Sequence, residues 1–114
     1  MIKRLSVLAL YLGLANEGCV PAGGANGVNS AEAHQLVAQG ALLVDVRTPE
    51  EFAGGHLDGA RNVPVGELSS RMGELPRDKA LVVYCHSGAR SARAASMLRE
   101  AGYRVRDLGP MSAW

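Results

Sequence analysis

The residues best equipped for chemistry lie together in Cys85-His86-Ser87-Gly88-Ala89-Arg90-Ser91. An apolar run, Ala80-Leu81-Val82-Val83-Tyr84, leads in, and a helix-like run from Ala92 to Ala101 leads out. The pattern predicts strand, tight loop, helix, with Cys85 at the strand's C-terminal tip and Arg90 closing the loop. A loop that feeds a helix N-terminus converges backbone N–H groups on one point and so favours anions. A free thiol has a pKa of about 8.5 and is only slightly ionised at neutral pH. A helix N-terminus is worth at most about 2 kcal/mol to a charge beside it, which brings a thiol to about 7. Loop N–H groups and Arg90 would take it lower. Cys85 is thus a candidate nucleophile whose charged adduct the loop can hold. The competing reading is an inert core cysteine, and the glycine and arginine in the same loop argue against it.

Two chemistries use a cysteine in such a cradle. Phosphatases and arsenate reductases of the Cys-x5-Arg type surround a tetrahedral oxyanion. Here four residues separate Cys85 from Arg90, and the smaller cradle suits a single sulfur bound to Cys85 better than a phosphate group. No carboxylate follows the loop in an obvious place to protonate a leaving alcohol. Sulfur transfer is the better reading.

Composition removes other classes. The 114 residues make room for one domain with a worthwhile core. They are 47% apolar and 20% charged, with a net charge of +1. Scattered basic residues and 4% aromatics offer neither a basic face nor a stacking platform for nucleic acid. Two cysteines make no disulfide scaffold, and neither stands at metal-ligand spacing, so no metal and no cofactor is expected.

The elements that must position the loop follow in order. Asn29-Ser30-Ala31-Glu32 has the form of a capping box, with Ala33, Leu36 and Val37 at helical spacing and Gly40 as the stop. His34 on this helix reads as a surface residue. Ala41 to Arg47 is a continuous apolar run broken by Asp45, as expected of a strand buried on both faces. A carboxylate there must be paired or bonded to backbone donors, so Asp45 is expected to fix the turn at the strand's end. Thr48 and Pro49 start a short helix that Gly54-Gly55 ends. His56 could serve as a general base, but it reads better as bonding the turn that follows. Glu67 to Leu75 is predicted as a helix with Leu68, Met72 and Leu75 on one side. After the loop, Ala92, Ala95, Met97 and Leu98 should face the core, and Tyr103 to Leu108 alternates like an outer strand. Helix and strand alternate, which indicates an α/β domain with a mainly parallel sheet. In such sheets, sites lie at the C-terminal ends of the strands.

The first residues read as a targeting segment. Met1-Ile2-Lys3-Arg4 is a positive start, and Leu5 to Ala15 is an apolar run of secretory length that is too short to span a bilayer. Residues 1–18 are therefore expected to be a signal peptide, cut near 15 or 18. Residues 19–27 read as a flexible linker and 28–114 as the domain. Cys19 is a candidate lipid anchor: Gly18 suits such a site, whereas Asn16 and Glu17 do not. Either route makes the protein exported, to the periplasm in a bacterial cell.

Taken together, the blocks resemble the rhodanese-like sulfurtransferases. Leu43-Val44-Asp45-Val46-Arg47-Thr48-Pro49-Glu50-Glu51-Phe52, Gly55-His56-Leu57-Asp58-Gly59-Ala60 to Pro64, and Val83-Tyr84-Cys85 to Ser91 match in the family's order, with Leu108-Gly109 and Ala113-Trp114 at the close. The resemblance implies a parallel five-stranded sheet flanked by helices on both faces, in a single-domain version. It implies that Cys85 takes a sulfane sulfur from a small anionic donor such as thiosulfate, or from a persulfide, and passes it to a thiol or to cyanide. The N–H groups of His86, Ser87, Gly88, Ala89, Arg90 and Ser91 would hold the persulfide. Arg90 would stabilise the loop and the incoming anion, with Asp45 and Arg47 as a supporting pair. Pro110 departs from the family pattern, which often has a second glycine there. A non-catalytic sulfur carrier remains the alternative, with a cysteine-based phosphatase or arsenate reductase behind it.

Overall fold

The computed structural model describes residues 27–114. The expected signal peptide, Cys19 and all of the linker but Gly27 lie outside the described residues. Helix α1 (Ser30–Ala38) begins on the anticipated capping box: the Asn29 side chain accepts from the Glu32 N–H, and the Glu32 carboxylate accepts from the Asn29 N–H. Strand β1 (Leu42–Asp45) follows, then the short helix α2 (Pro49–Ala53), capped reciprocally by Thr48 and Glu51. Next come β2 (Arg61–Asn62), helix α3 (Leu68–Arg71), β3 (Leu81–Cys85), α4 (Ala89–Glu100) and β4 (Val105–Pro110). A 3-10 turn over Met111–Ala113 ends the described chain before Trp114.

The strands form one parallel sheet in the order β2-β1-β3-β4. This is the α/β architecture expected, with four strands among the described residues instead of five. Beside β4, where a fifth strand would pair, there is a one-residue parallel bridge between Gly27 and Asp107, with the Val28 N–H donating to the Asp107 carbonyl (3.1 Å). On its C-terminal side the pairing stops at Asn29, which serves as the cap of α1.

Two cores sandwich the sheet. On one face Val44, Val46, Leu81, Val83 and Cys85 pack against Leu68, Leu75, Ala94, Ala95 and Leu98 from α3, its following turn and α4. On the other, Leu43, Val82, Tyr84 and Leu108 pack against Ala33 of α1, with Leu57, Met111 and Trp114 partly buried around them. The fully buried β3, apolar at all five positions, carries both cores at once.

Three expectations need correction. The segment 67–75 is no continuous helix: a 3-10 turn over Val65–Glu67 precedes the single α-turn of α3, and a second, Met72–Glu74, follows it. Gly66 and Gly73 weaken the helix on either side, while Leu68 and Leu75 still reach the core. Helix α4 starts three residues earlier than expected, so its buried stripe is Ser91, Ala94, Ala95 and Leu98, and Ala92 is exposed. The last strand starts later than Tyr103, whose side chain is buried and whose hydroxyl donates to the Met72 carbonyl (2.7 Å).

A candidate active site at the tip of strand β3

Cys85 is the last residue of β3 and is fully buried at the sheet's C-terminal edge. Its Sγ accepts from the Gly88 N–H at 2.9 Å and the Ser91 N–H at 3.3 Å. The chain can turn this tightly because Gly88, at the cap position of α4, has φ +105°, a region that L side chains rarely adopt. A Cβ at Gly88 would also lie 3.7 Å from the Pro110 ring, so Pro110 packs directly against the loop.

Burial pushes the Cys85 thiol up, but the opposing hydrogen bonds win and leave it below its ordinary value. They come from the Ser91 N–H and hydroxyl and from the Gly88 and Arg90 N–H groups. The Ser91 hydroxyl has one proton to give. It is directed at the Gly88 carbonyl (3.1 Å), and turning it to sulfur adds to the thiolate's stabilisation. The dipole of the 12-residue α4 acts in the same direction.

The other loop residues divide by exposure. His86, Ser87 and Ala89 are exposed and Gly88 is partly buried, whereas Ser91 belongs to the buried stripe of α4. Arg90 sits in the first turn of α4, so its side chain leaves the helix instead of closing the loop. The guanidinium forms a bidentate pair with Glu51 of α2, at 2.8 and 3.0 Å. Glu51 also caps α2, and Arg90 followed by the Thr48 N–H holds its carboxyl down at about 2. This pair ties α2 to the helix that carries the loop. Sequence reasoning read Glu51 only as part of a helix start. The Thr48-x-x-Glu51 box was a visible signal for the cap, but nothing local links residues 51 and 90.

Asp45 and Arg47 lie at the tip of the neighbouring strand, where Asp45 is in register with Tyr84. The buried carboxylate accepts from the Arg47 backbone N–H (2.9 Å) and from Nε and Nη2 of its side chain (2.9 and 2.6 Å). Nη2 also donates to the Gly55 carbonyl (2.7 Å), and the guanidinium lies 5.7 Å from the Tyr84 ring centroid. The Tyr84 hydroxyl in turn accepts from the Leu57 N–H (3.0 Å), and burial pushes its pKa up to about 12. This chain of contacts fixes the segment 55–57 beside the site. The roles of Tyr84 and Leu57 were not visible in sequence.

His34 and His56 stand apart from the sulfur's donors. His56 Nδ1 donates to the Phe52 carbonyl (2.8 Å) and its ring stacks on Phe52, so it bonds the turn. His34, exposed on α1, stacks on Trp114. Among the described residues, no group of three or more His, Cys, Asp or Glu could hold a metal ion.

Comparison with known proteins assigns the chain to a family. The Rhodanese-like domain family matches residues 29–114, and the chain belongs to that family. A sulfurtransferase of Allochromatium vinosum is 42% identical over 93 residues, covering 78% of this chain and 87% of the relative. Thiosulfate sulfurtransferase 16 of Arabidopsis thaliana, a chloroplastic protein, is 36% identical over 118 residues and covers 89% and 92%. Among solved structures, a human single-domain sulfurtransferase superposes with a TM-score of 0.68 at 33% identity, covering 80% of this chain and 93% of that one. The match to Bacillus subtilis YqhL, 50% identical over 62 residues, spans 54% of this chain and about half (49%) of that protein's length. Relatives named sulfurtransferases support rhodanese-type sulfur transfer.

Proposed function

We propose that this protein is a sulfurtransferase that carries a sulfane sulfur on Cys85 from thiosulfate, or from a persulfide, to a thiol or cyanide. The observation that carries the reading is the thiol at the tip of β3, held below its ordinary pKa by N–H donors converging from the loop and α4. In the first step the Cys85 thiolate attacks the outer sulfur of thiosulfate. A new Sγ–S bond forms as the donor's S–S bond breaks, and sulfite leaves with the electron pair. The adduct is a persulfide anion, and the N–H groups that favour the thiolate favour it for the same electrostatic reason. In the second step an acceptor nucleophile takes the outer sulfur, and the pair of the Sγ–S bond returns to Cys85 as thiolate.

Arg90 and Glu51 act as positioning residues that hold α4 and its loop against α2. Asp45 and Arg47 hold the adjacent strand tip. The thiosulfate assignment draws support from the name of the Arabidopsis relative, and export from the basic start and apolar run of residues 1–15 alone. The test is the mass of Cys85 after thiosulfate treatment. A gain of one sulfur with release of one sulfite per chain is expected. Phosphate-ester hydrolysis without sulfite release would overturn the reading.

A further inference from the structure

A half-open groove of about 500 Å³ lies beside the catalytic loop, lined by Leu57, His86, Met111, Ser112 and Trp114. His86, the residue after Cys85, is the member of the catalytic loop that lines it, so the groove borders that loop. Its other end is built by the second core: Leu57, Met111 and Trp114 are partly buried hydrophobics packed on it. Leu57 is held by its N–H bond to Tyr84, and Trp114 by its stack on His34. These side chains are thus fixed with part of their apolar surface left uncovered.

Neither small reactant accounts for this space. At about 30 Å³ per heavy atom, thiosulfate fills about 150 Å³ and cyanide much less, and both are anions that gain nothing from apolar walls. Among the described residues no lysine, arginine, aspartate or glutamate side chain lines the groove, so it has no side-chain cation to pair with the carboxylates or phosphates of a highly charged thiol. We infer that the groove binds the body of the sulfur acceptor, and that this acceptor is a small organic thiol with an uncharged, apolar chain. The inference rests on the sulfurtransferase reading above and specifies its second substrate.

With the chain in the groove, the acceptor's sulfur meets the persulfide beside His86. The acceptor thiol loses its proton to solvent and its sulfur bonds the outer sulfur of the Cys85 persulfide. The Sγ–S bond breaks, and its electron pair leaves Cys85 as thiolate. The product is an organic persulfide, and no external oxidant or reductant is needed. Affinity for the chain comes from removing its methylenes from water. Full burial is worth about fourfold per methylene, and a half-open groove about twofold.

The test uses the full chain with thiosulfate as donor and a series of uncharged thiols: 2-mercaptoethanol, 3-mercaptopropanol, 4-mercaptobutanol and 6-mercaptohexanol. The expected result is a rise in kcat/KM, read by sulfite release, of about twofold to fourfold per methylene. Met111→Asp should flatten this slope. Ser112→Asp should flatten it as well, and because Ser112 is exposed this variant keeps the fold intact. A flat series in the unaltered protein, or an undiminished slope in Ser112→Asp, overturns the inference.

A second readout does not depend on sulfur transfer. Trp114 is the single tryptophan of the chain and lines the groove, so its fluorescence should change saturably with 6-(methylthio)hexan-1-ol, which cannot accept sulfur. That change should be lost in Ser112→Asp, and its absence in the unaltered protein overturns the inference. Absence of an acceptor-independent sulfite burst would instead remove the sulfurtransferase reading, with the fluorescence titration still deciding the groove.

Discussion

The tips of β1 and β3 lie side by side in the sheet, and each carries an ionisable side chain that the fold has buried. At β1, the Asp45 carboxylate meets a full guanidinium from Arg47, two residues on, and also the Arg47 N–H. At β3, the Cys85 sulfur meets N–H groups, while the nearest loop guanidinium, Arg90, is turned to Glu51. The first site is compensated by a partner of opposite charge. The second is stabilised by dipoles only, which accept a thiolate, a persulfide or an approaching anion with little rearrangement. Position at the sheet edge therefore does not make a residue reactive. What distinguishes the tips is whether the charge already has a counter-ion.

Substitution at the two tips should fail in different ways. Cys85→Ser is expected to lower sulfite release roughly a thousandfold or more with the fold intact by circular dichroism; retained turnover would remove Cys85 from the chemistry. Asp45→Ala should be the mirror image, a stability lesion. It leaves the buried Arg47 guanidinium without its carboxylate, at a cost of about 3–5 kcal/mol measurable by urea unfolding. A small loss of stability accompanied by a large loss of turnover would show that the β1 tip is more than a brace. Gly88→Ala should fall between them. The positive φ strains any side chain by about 1–2 kcal/mol, and the displaced Gly88 N–H should raise the thiol's pKa.

The pH behaviour sharpens the same contrast. Because the Cys85 thiol is held below its ordinary value, its alkylation by iodoacetamide should level off at lower pH than that of a free thiol. The stability linked to its thiolate is fully present above the unfolded thiol's pKa and is lost as pH falls through the lowered one. A midpoint at or above the free-thiol value would mean that burial outweighs the loop's donors.

The smallest effect is expected at Glu51. Its carboxyl is lowered from 4.5 to about 2, so its contribution holds above the unfolded value and disappears as pH falls through about 2. Glu51→Gln should flatten the pH dependence of unfolding across that window. It should also slow sulfur transfer severalfold by freeing Arg90, because the pair is about one-third exposed and screened by solvent. An unchanged rate would reduce the Arg90–Glu51 pair to surface decoration.

Much of this was legible in the chain because it depends on neighbours in sequence. The capping box at Asn29, the helix start at Thr48 and Pro49, the apolar runs of β1 and β3, and the cysteine, glycine and arginine spacing are local patterns with local causes. Asp45 was legible for the same reason, since its partner is two residues away. The helix predicted over 67–75 failed where two glycines competed with a sound apolar pattern. Where a fifth strand was expected, the described residues show only the bridge from Gly27 to Asp107.

By itself the sequence determined that a cysteine would stand where a strand becomes a helix, with donors close behind it. The four residues between Cys85 and Arg90 and the need for glycine at the turn set this. Tertiary structure alone decided that the Arg90 guanidinium turns away from the sulfur, because Arg90 lies in the first turn of α4 and finds its carboxylate 39 residues earlier in the chain. It likewise decided what lines the groove bordering the catalytic loop, where Leu57, Met111 and Trp114 come from opposite sides of β3. Such pairings depend on which elements the parallel crossovers bring together, and no local propensity encodes that meeting.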